Sequence, residues 1–291
     1  MDLKLKVRDT IKDNDLIAKG ETVLLALSGG PDSLCLLHVL HDLQGMLGFS
    51  LSALHVNHCI RGAAADADEA FLIEHCRELG VELFTERVDV PSLAKESGKT
   101  EEECGRDVRY KLLKEKGFDK IAVAHNKNDQ AETVLMRLIR GTGVKGLAGM
   151  EYKREDGVIR PLLDIERAEI EKYCNDKNLS PRIDATNSET EYTRNKIRLE
   201  LIPYLQNYNP GIIDSLTRLA DSARDDEKNE FAKVVVTAFG EAGLTEDIGA
   251  VHINSLYKAS KKNVGGKIIE FPHGYKAVIK NGRIYIEKPG T

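Results

Sequence analysis

The 291-residue sequence has no long hydrophobic run. Its longest unbroken apolar stretch is residues 23–27, far below the roughly 20 residues that a helix needs to cross a bilayer. A secretory signal is missing too, because the first residues alternate charge with Leu and Val (Asp2, Lys4, Lys6, Arg8) instead of forming an apolar core. Cysteine is scarce and scattered: Cys35, Cys59, Cys76, Cys104 and Cys174 are odd in number, and no C-x-x-C pair occurs. That spacing excludes a disulfide framework and a Cys-ligated zinc or iron–sulfur site, and it fits a reducing cytoplasm. Neither sign of charge dominates. The 42 Lys and Arg against 47 Asp and Glu leave a net charge of −5, so any nucleic-acid contact must come from a local basic patch. Internal repeats and low-complexity segments are absent as well.

What is present is a globular composition, 41% apolar with 24 glycines, at a length that predicts about two domains. Residues 22–27, 51–57, 81–88 and 120–124 are short Val/Leu/Ile-rich runs bounded by Gly or polar residues, the pattern of strands. Helical spacing fills the gaps at 33–43, 66–79, 100–116 and 129–140, and Thr100 with Glu103 forms a capping-box pair. Alternation of this kind predicts a doubly wound α/β domain with a parallel sheet and its ligand at the carboxyl ends of the strands. The pattern changes after about Pro203. Residues 212–239 read as mainly helical, and 265–288 as short strands with turns at His273-Gly274 and at Asn281-Gly282, a hairpin signal. The expected domains are therefore 1–208 and 209–291, the second smaller, mainly helical and closed by a C-terminal β-hairpin.

The chemistry concentrates in Ser28-Gly29-Gly30-Pro31-Asp32-Ser33, directly after the first strand and opening the first of these helices. Two glycines let the backbone approach a ligand, successive amides form an anion-binding concavity, and the helix N-terminus adds positive potential. Ser28 and Ser33 supply hydroxyl donors. Asp32 would repel a phosphate unless a cation lies between them, which points to Mg²⁺ bridging its carboxylate and the phosphates. The common phosphate loops, G-x-x-x-x-G-K-[S/T] and G-x-G-x-x-G after a strand, do not occur.

The hexamer resembles the PP-loop of the ATP pyrophosphatases. Those enzymes split ATP between its α- and β-phosphates, adenylate an oxygen, and let a nucleophile displace AMP. Further segments narrow the likeness: His55-Val56-Asn57-His58 running to Ile60-Arg61-Gly62, Gly105-Arg106 with Arg109-Tyr110, and His125-Asn126 with Asn128 to Thr133. They continue as Ile159 to Leu163, Pro181-Arg182 with Asp184, Thr186 and Asn187, and Arg194-Asn195 with Ile197-Arg198. In this order they resemble the tRNA(Ile)-lysidine synthase family over about residues 20–225. Asn126 and Asn128 depart from it, standing where members often carry a second His and an acid.

The resemblance implies ATP, Mg²⁺, free L-lysine and the isoleucine tRNA with a CAU anticodon as ligands. The implied product is lysidine, which changes codon reading from AUG to AUA. It also implies that Arg109, Asp129 and Glu132 form the lysine pocket. From the residues alone, Asp129 and Glu132 lie three apart on one helix face. They read either as favourable charge at a helix N-terminus or as a site for an amine or metal. His55, Asn57, His58 and His125 stand at strand ends as structural residues or nucleotide contacts; no zinc spacing links them. Arg194, Lys196 and Arg198, with Arg160, Arg167 and Arg182 upstream, are a solvated face, an RNA-backbone strip or reach to ATP phosphates. The second domain would assist tRNA binding, although Lys258, Lys261, Lys262 and Lys267 form only a weak basic cluster. Another PP-loop enzyme such as a tRNA 2-thiolase is the alternative, disfavoured by the missing C-x-x-C. A non-enzymatic nucleotide-binding regulator is the other, disfavoured by the many acids around the loop. A homodimer is compatible with the sequence, which does not fix the oligomeric state.

Overall fold

A computed structural model describes residues 2–182, 193–261, 266–281 and 283–289. Asp184, Thr186 and Asn187, Lys262, and Gly282 of the expected hairpin turn lie outside the described residues. The chain forms two compact units, Met1–Gly141 with Gly149–Thr217, and Thr142–Ala148 with Arg218–Thr291.

In the first unit, strands β1 (Thr22–Ala26), β2 (Ser50–Asn57), β3 (Glu82–Arg87), β4 (Lys120–Ala122) and β5 (Val158–Ile159) form one sheet. Its order is β3-β2-β1-β4-β5, and every pairing is parallel. Helices α1 (Leu3–Asp13), α2 (Pro31–Leu47), α3 (Ala63–Leu79), α4 (Val90–Ser97), α5 (Glu101–Glu115), α6 (Lys127–Ile139) and α8 (Arg167–Asp176) surround it. β1 shows why both faces are covered. Val23 and Leu25 enter one core with Leu37, Leu40 and Leu72, while Leu24 enters another with Leu113, Ile121 and Val158. A side-chain period of two thus feeds two layers.

The expected strands and helices are present, with ends moved by a few residues. The capping box at Thr100 and Glu103 forms as its sequence indicates. α1 adds an element: Asp2 caps it, and its stripe Leu3, Val7 and Ile11 is buried in the core with α2. The strand order reverses between β1 and β4, so the crevice outside their carboxyl ends is the natural ligand position for such a sheet.

Beyond β5 the chain forms α9 (Thr193–Lys196), a π-helical turn (Ile197–Leu201), α10 (Ile202–Gln206) and the long α11 (Ile212–Ala242). The second unit holds most of α11, the short α7 (Val144–Leu147) and α12 (Ala250–Lys261). It also holds an antiparallel sheet of β6 (Ile268–Glu270), β7 (Lys276–Lys280) and β8 (Arg283–Glu287). β6 extends the expected hairpin to three strands. The core of this unit gathers Val235, Phe239, Leu244, Leu256, Phe271 and Ile279, with Phe239 stacked on Phe271 at 4.1 Å between ring centres. No helix among the described residues is long and apolar enough to cross a membrane.

Candidate active site

The first-strand turn is ordered by one hydroxyl. Ser33 is buried at the start of α2, and its Oγ accepts from the Gly29 N–H at 3.1 Å and the Ser28 N–H at 3.3 Å. It also lies 3.0 Å from the Gly30 carbonyl, to which it donates, and 3.1 Å from the Ser28 hydroxyl. Gly29 adopts φ +87°, a conformation that a side chain opposes. The amides of Ser28 and Gly29 are therefore spent on Ser33 and not directed outward. The donors left for an anion are the amides at the start of α2, which have no intrahelical acceptor. Pro31 at the first helical position has no N–H to lose there.

Asp32 faces the start of α6. Asn126 donates from its side-chain amide to Asp32 Oδ1 at 3.0 Å, and the same residue caps α6. Its Oδ1 accepts from the Asp129 N–H while Asp129 Oδ2 accepts from the Asn126 N–H, both at 3.0 Å. The departure at Asn126 is thus a sound helix cap. Burial, reinforced by the nearby Asp129 charge, pushes the Asp32 carboxyl up to about 6.

Asp129 and Glu132 stand side by side, both buried, and arginines converge on them. Arg198 holds Glu132 in a two-pronged grip, Nε to Oε1 at 2.6 Å and Nη2 to Oε2 at 2.9 Å, and reaches Asp129 Oδ1 at 3.0 Å. Arg194 contacts Glu132 Oε2 at 2.9 Å and Asp129 Oδ1 at 3.2 Å. Arg167 adds a longer contact to Asp129 at 3.5 Å.

Arg109 is not among them. Among the described residues it forms no ion pair or hydrogen bond, and its charged neighbours include Arg106 and Glu102. Protein mass around its head, with Arg106, holds the guanidinium below the usual arginine range, although the residue as a whole is exposed to solvent. Its surroundings are basic. Burial, followed by Arg160, Arg194, Arg106 and Arg109, drives His125 down to about 3. Burial and Arg109 bring His58 to about 4. The Nδ1 atoms of both rings and the Nε of the buried Arg160 have no hydrogen-bond partner. The site thus has two poles, a cluster of acids clasped by arginines beside the PP-loop and a group of arginines, Arg106, Arg109 and Arg160, that form no ion pair among the described residues. His125, adjoining Asn126, feels charges of both.

The remaining expected contacts serve the protein itself. His55 lies 2.9 Å from the Leu27 carbonyl through Nδ1. Asn57 donates to Asp66 at 3.2 Å and Glu69 at 2.9 Å and accepts from the Cys59 N–H at 3.0 Å. Sequence reasoning gave no role to Asn126, for which the Asn-x-x-Asp spacing ahead of α6 was the signal, and it placed Arg160 and Arg167 only in a basic strip, not beside His125 or Asp129.

Fold and loop together define a PP-loop nucleotide-binding domain, and the family model described as a PP-loop domain matches residues 2–205. Curated relatives carry the likeness further. A tRNA(Ile)-lysidine synthase of Clostridium acetobutylicum is 49% identical across 96% of this chain and 68% of its own length. One from Clostridioides difficile (strain 630) is 45% identical across 86% of this chain and 55% of its own, and one from Clostridium perfringens 50% across 77% and 49%. The chain belongs to the tRNA(Ile)-lysidine synthase family. It spans about half the length of the C. difficile and C. perfringens relatives. A solved U34-tRNA thiolase, NcsA from Methanococcus maripaludis with its 4Fe-4S cluster, shares the fold at TM-score 0.59. Its identity is 23%, over 76% of this chain and 78% of that one.

Proposed function

We propose that the protein is a lysidine-forming ligase that modifies the wobble cytidine of the isoleucine tRNA with a CAU anticodon, using ATP and free lysine. The observation that carries this reading is the pair of poles: Asp129 and Glu132 beside the PP-loop, and the unpaired Arg109 apart from them. Free lysine has ammonium groups for the acids and a carboxylate for a guanidinium.

Asp32 suits Mg²⁺. It is a single half-buried carboxylate with a raised pKa, and its Oδ2 has no hydrogen-bond partner among the described residues. Such an ion takes one or two protein carboxylates together with substrate phosphates. When bound, it would offset charge on the departing pyrophosphate.

The α2 amides and the Ser28 hydroxyl, on a turn that Ser33 braces, hold the β- and γ-phosphates while the cytosine C2 oxygen attacks the α-phosphorus and pyrophosphate leaves. Asp129 and Glu132 orient the lysine side chain as its neutral ε-nitrogen attacks C2 and expels AMP. The amine has an ordinary pKa of about 10.4, so it must lose a proton. His125, held near 3, is a poor acceptor for it and acts as a neutral hydrogen-bonding group. Unpaired anticodon-loop bases are open to protein contact, and the second unit is the candidate to hold the RNA. The thiolase alternative finds no support here: four of the five cysteines are buried, Cys59 alone is exposed, and all are free.

Incubation with ATP, lysine and the CAU-anticodon tRNA tests the reading. AMP, pyrophosphate and lysidine are expected only when all three are present. ADP and orthophosphate as products would overturn it.

A further inference from the structure

Resting on the reading of Asp129 and Glu132 as the ammonium site, we propose that Arg194 and Arg198 exchange partners during the cycle. They hold these two acids in the nucleotide-free protein and transfer to the ATP phosphates, so that lysine binding depends on nucleotide binding.

Every oxygen of the two acids already has a donor without any ligand. Both oxygens of Glu132 accept from Arg198, and one of them also accepts from Arg194. Asp129 Oδ2 is spent on the Asn126 N–H, while its Oδ1 takes Arg194, Arg198 and the longer Arg167 contact. An incoming ammonium finds only one further lone pair on Glu132 Oε1 and one on Asp129 Oδ2, and has to compete with guanidinia already seated on both acids until an arginine leaves. Charge gives the same answer. Counted in their ionised forms, three acids (Asp32, Asp129, Glu132) face three arginines (Arg167, Arg194, Arg198), and the cluster is neutral. Lysine alone would add an uncompensated positive charge in a buried place, which is unfavourable. A polyphosphate at the PP-loop adds negative charge and a competing set of oxygens for the guanidinia. The two ligands together restore the balance, and each therefore favours the other.

The arginines also sit on a backbone that can change register. Arg198 lies inside the π turn and Arg194 in α9 just before it. Pro203, early in α10, explains the turn: it has no N–H for the Leu199 carbonyl and its ring crowds that oxygen. Such turns hold one residue more than an α-turn and occur often at functional sites. Absorbing that residue rotates the preceding segment by about 100°, enough to carry both guanidinia off the acids.

Calorimetric titration of the whole chain tests this. Lysine is titrated alone and with an ATP analogue bearing a methylene between the α- and β-phosphates. The expected result is lysine affinity raised about 10-fold or more by the analogue, and analogue affinity raised by the same factor by lysine. In the Arg194→Gln/Arg198→Gln double variant, lysine should bind without nucleotide about as tightly as it binds the analogue-loaded wild type, with the coupling lost. Equal lysine affinity for wild type with and without analogue overturns the exchange, and this comparison needs no variant to fold. Full coupling in the double variant also overturns it. Lysine binding that is coupled but indifferent to Glu132→Gln instead overturns the assignment of the acids.

Discussion

Asn126 donates to Asp32 at 3.0 Å and caps α6 through Asp129, so one buried side chain ties the PP-loop to the helix that carries the acids. Asn126→Ala removes the cap and leaves Asp32 Oδ1 without its donor. A loss of about 2–4 kcal/mol is expected from the two effects together, read from the urea midpoint. Asn126→Asp keeps the cap but sets a second carboxylate against Asp32. It should approach wild-type stability only as the pH falls.

The two loop glycines are expected to fail differently. Gly29 sits at φ +87°, with Leu72 at an ordinary 3.6 Å from an added Cβ. Gly29→Ala therefore strains the backbone without a clash, at about 1–2 kcal/mol. Gly30 has φ −72°, and its nearest neighbours would be Ser28 Oγ at 3.7 Å and the Arg182 carbonyl at 4.0 Å. Gly30→Ala should fold with wild-type stability, and any deficit should appear in nucleotide affinity alone. Thermal melts beside nucleotide titrations separate the two.

Acid should loosen the protein at a pH above the range in which ordinary carboxylates titrate. His38 and His75 meet Nε2 to Nε2 at 2.8 Å, and burial, then the His75 charge, brings His38 down to about 4 against an upward pull from Asp42 and further lowering by His41 and Lys177. His58 and His125 shift in the same direction. Each folded pKa lies below the unfolded value near 6.5, so the unfolded chain takes up more protons between pH 6.5 and about 4. Stability is full above 6.5 and falls across that window. Asp32, raised to about 6, opposes this: its contribution is present below about 3.8 and lost as pH rises through 6. Urea midpoints at pH 7.5 and 5.0 should drop on acidification, and His38→Leu should flatten the slope. An unchanged slope would remove His38 from the account.

The sheet was legible because β1, β2 and β4 are apolar runs separated by helix-period segments, and the PP-loop because its six residues are contiguous. β5 was not, since Val158–Ile159 is two residues long and no periodicity exists in two residues. α1 carried a clear stripe at Leu3, Val7 and Ile11, but its charged residues were read only as the lack of a signal. The arginine clasp was out of reach. Spacing puts Arg194 and Arg198 on one helical face, yet their partners lie more than sixty positions earlier, at Asp129 and Glu132. The π turn was hidden for a related reason: Pro203 reads as a boundary, and only the folded chain shows the helix continuing through it.

Arg109 should show opposite effects on stability and binding. Among the described residues it has no partner, and it shares its recess with Arg106, Arg160 and two histidines held neutral by burial and by these charges. Removing a cation that has mostly like charges and neutral rings for close company relieves repulsion. Arg109→Ala is therefore expected to melt no lower than wild type. If the guanidinium receives the lysine carboxylate, the same change removes charge-assisted hydrogen bonds of about 1.5–3 kcal/mol. That corresponds to a KM for lysine roughly 10- to 100-fold higher with the KM for ATP unchanged. Arg109→Lys should rescue little, because an ammonium does not offer the planar fork. Lysine methyl ester provides the control. Lacking the carboxylate charge, it should be a poor substrate for wild type and lose nothing further in Arg109→Ala. An ester penalised by the substitution as heavily as lysine would place the carboxylate elsewhere and leave Arg160 as the next residue to change.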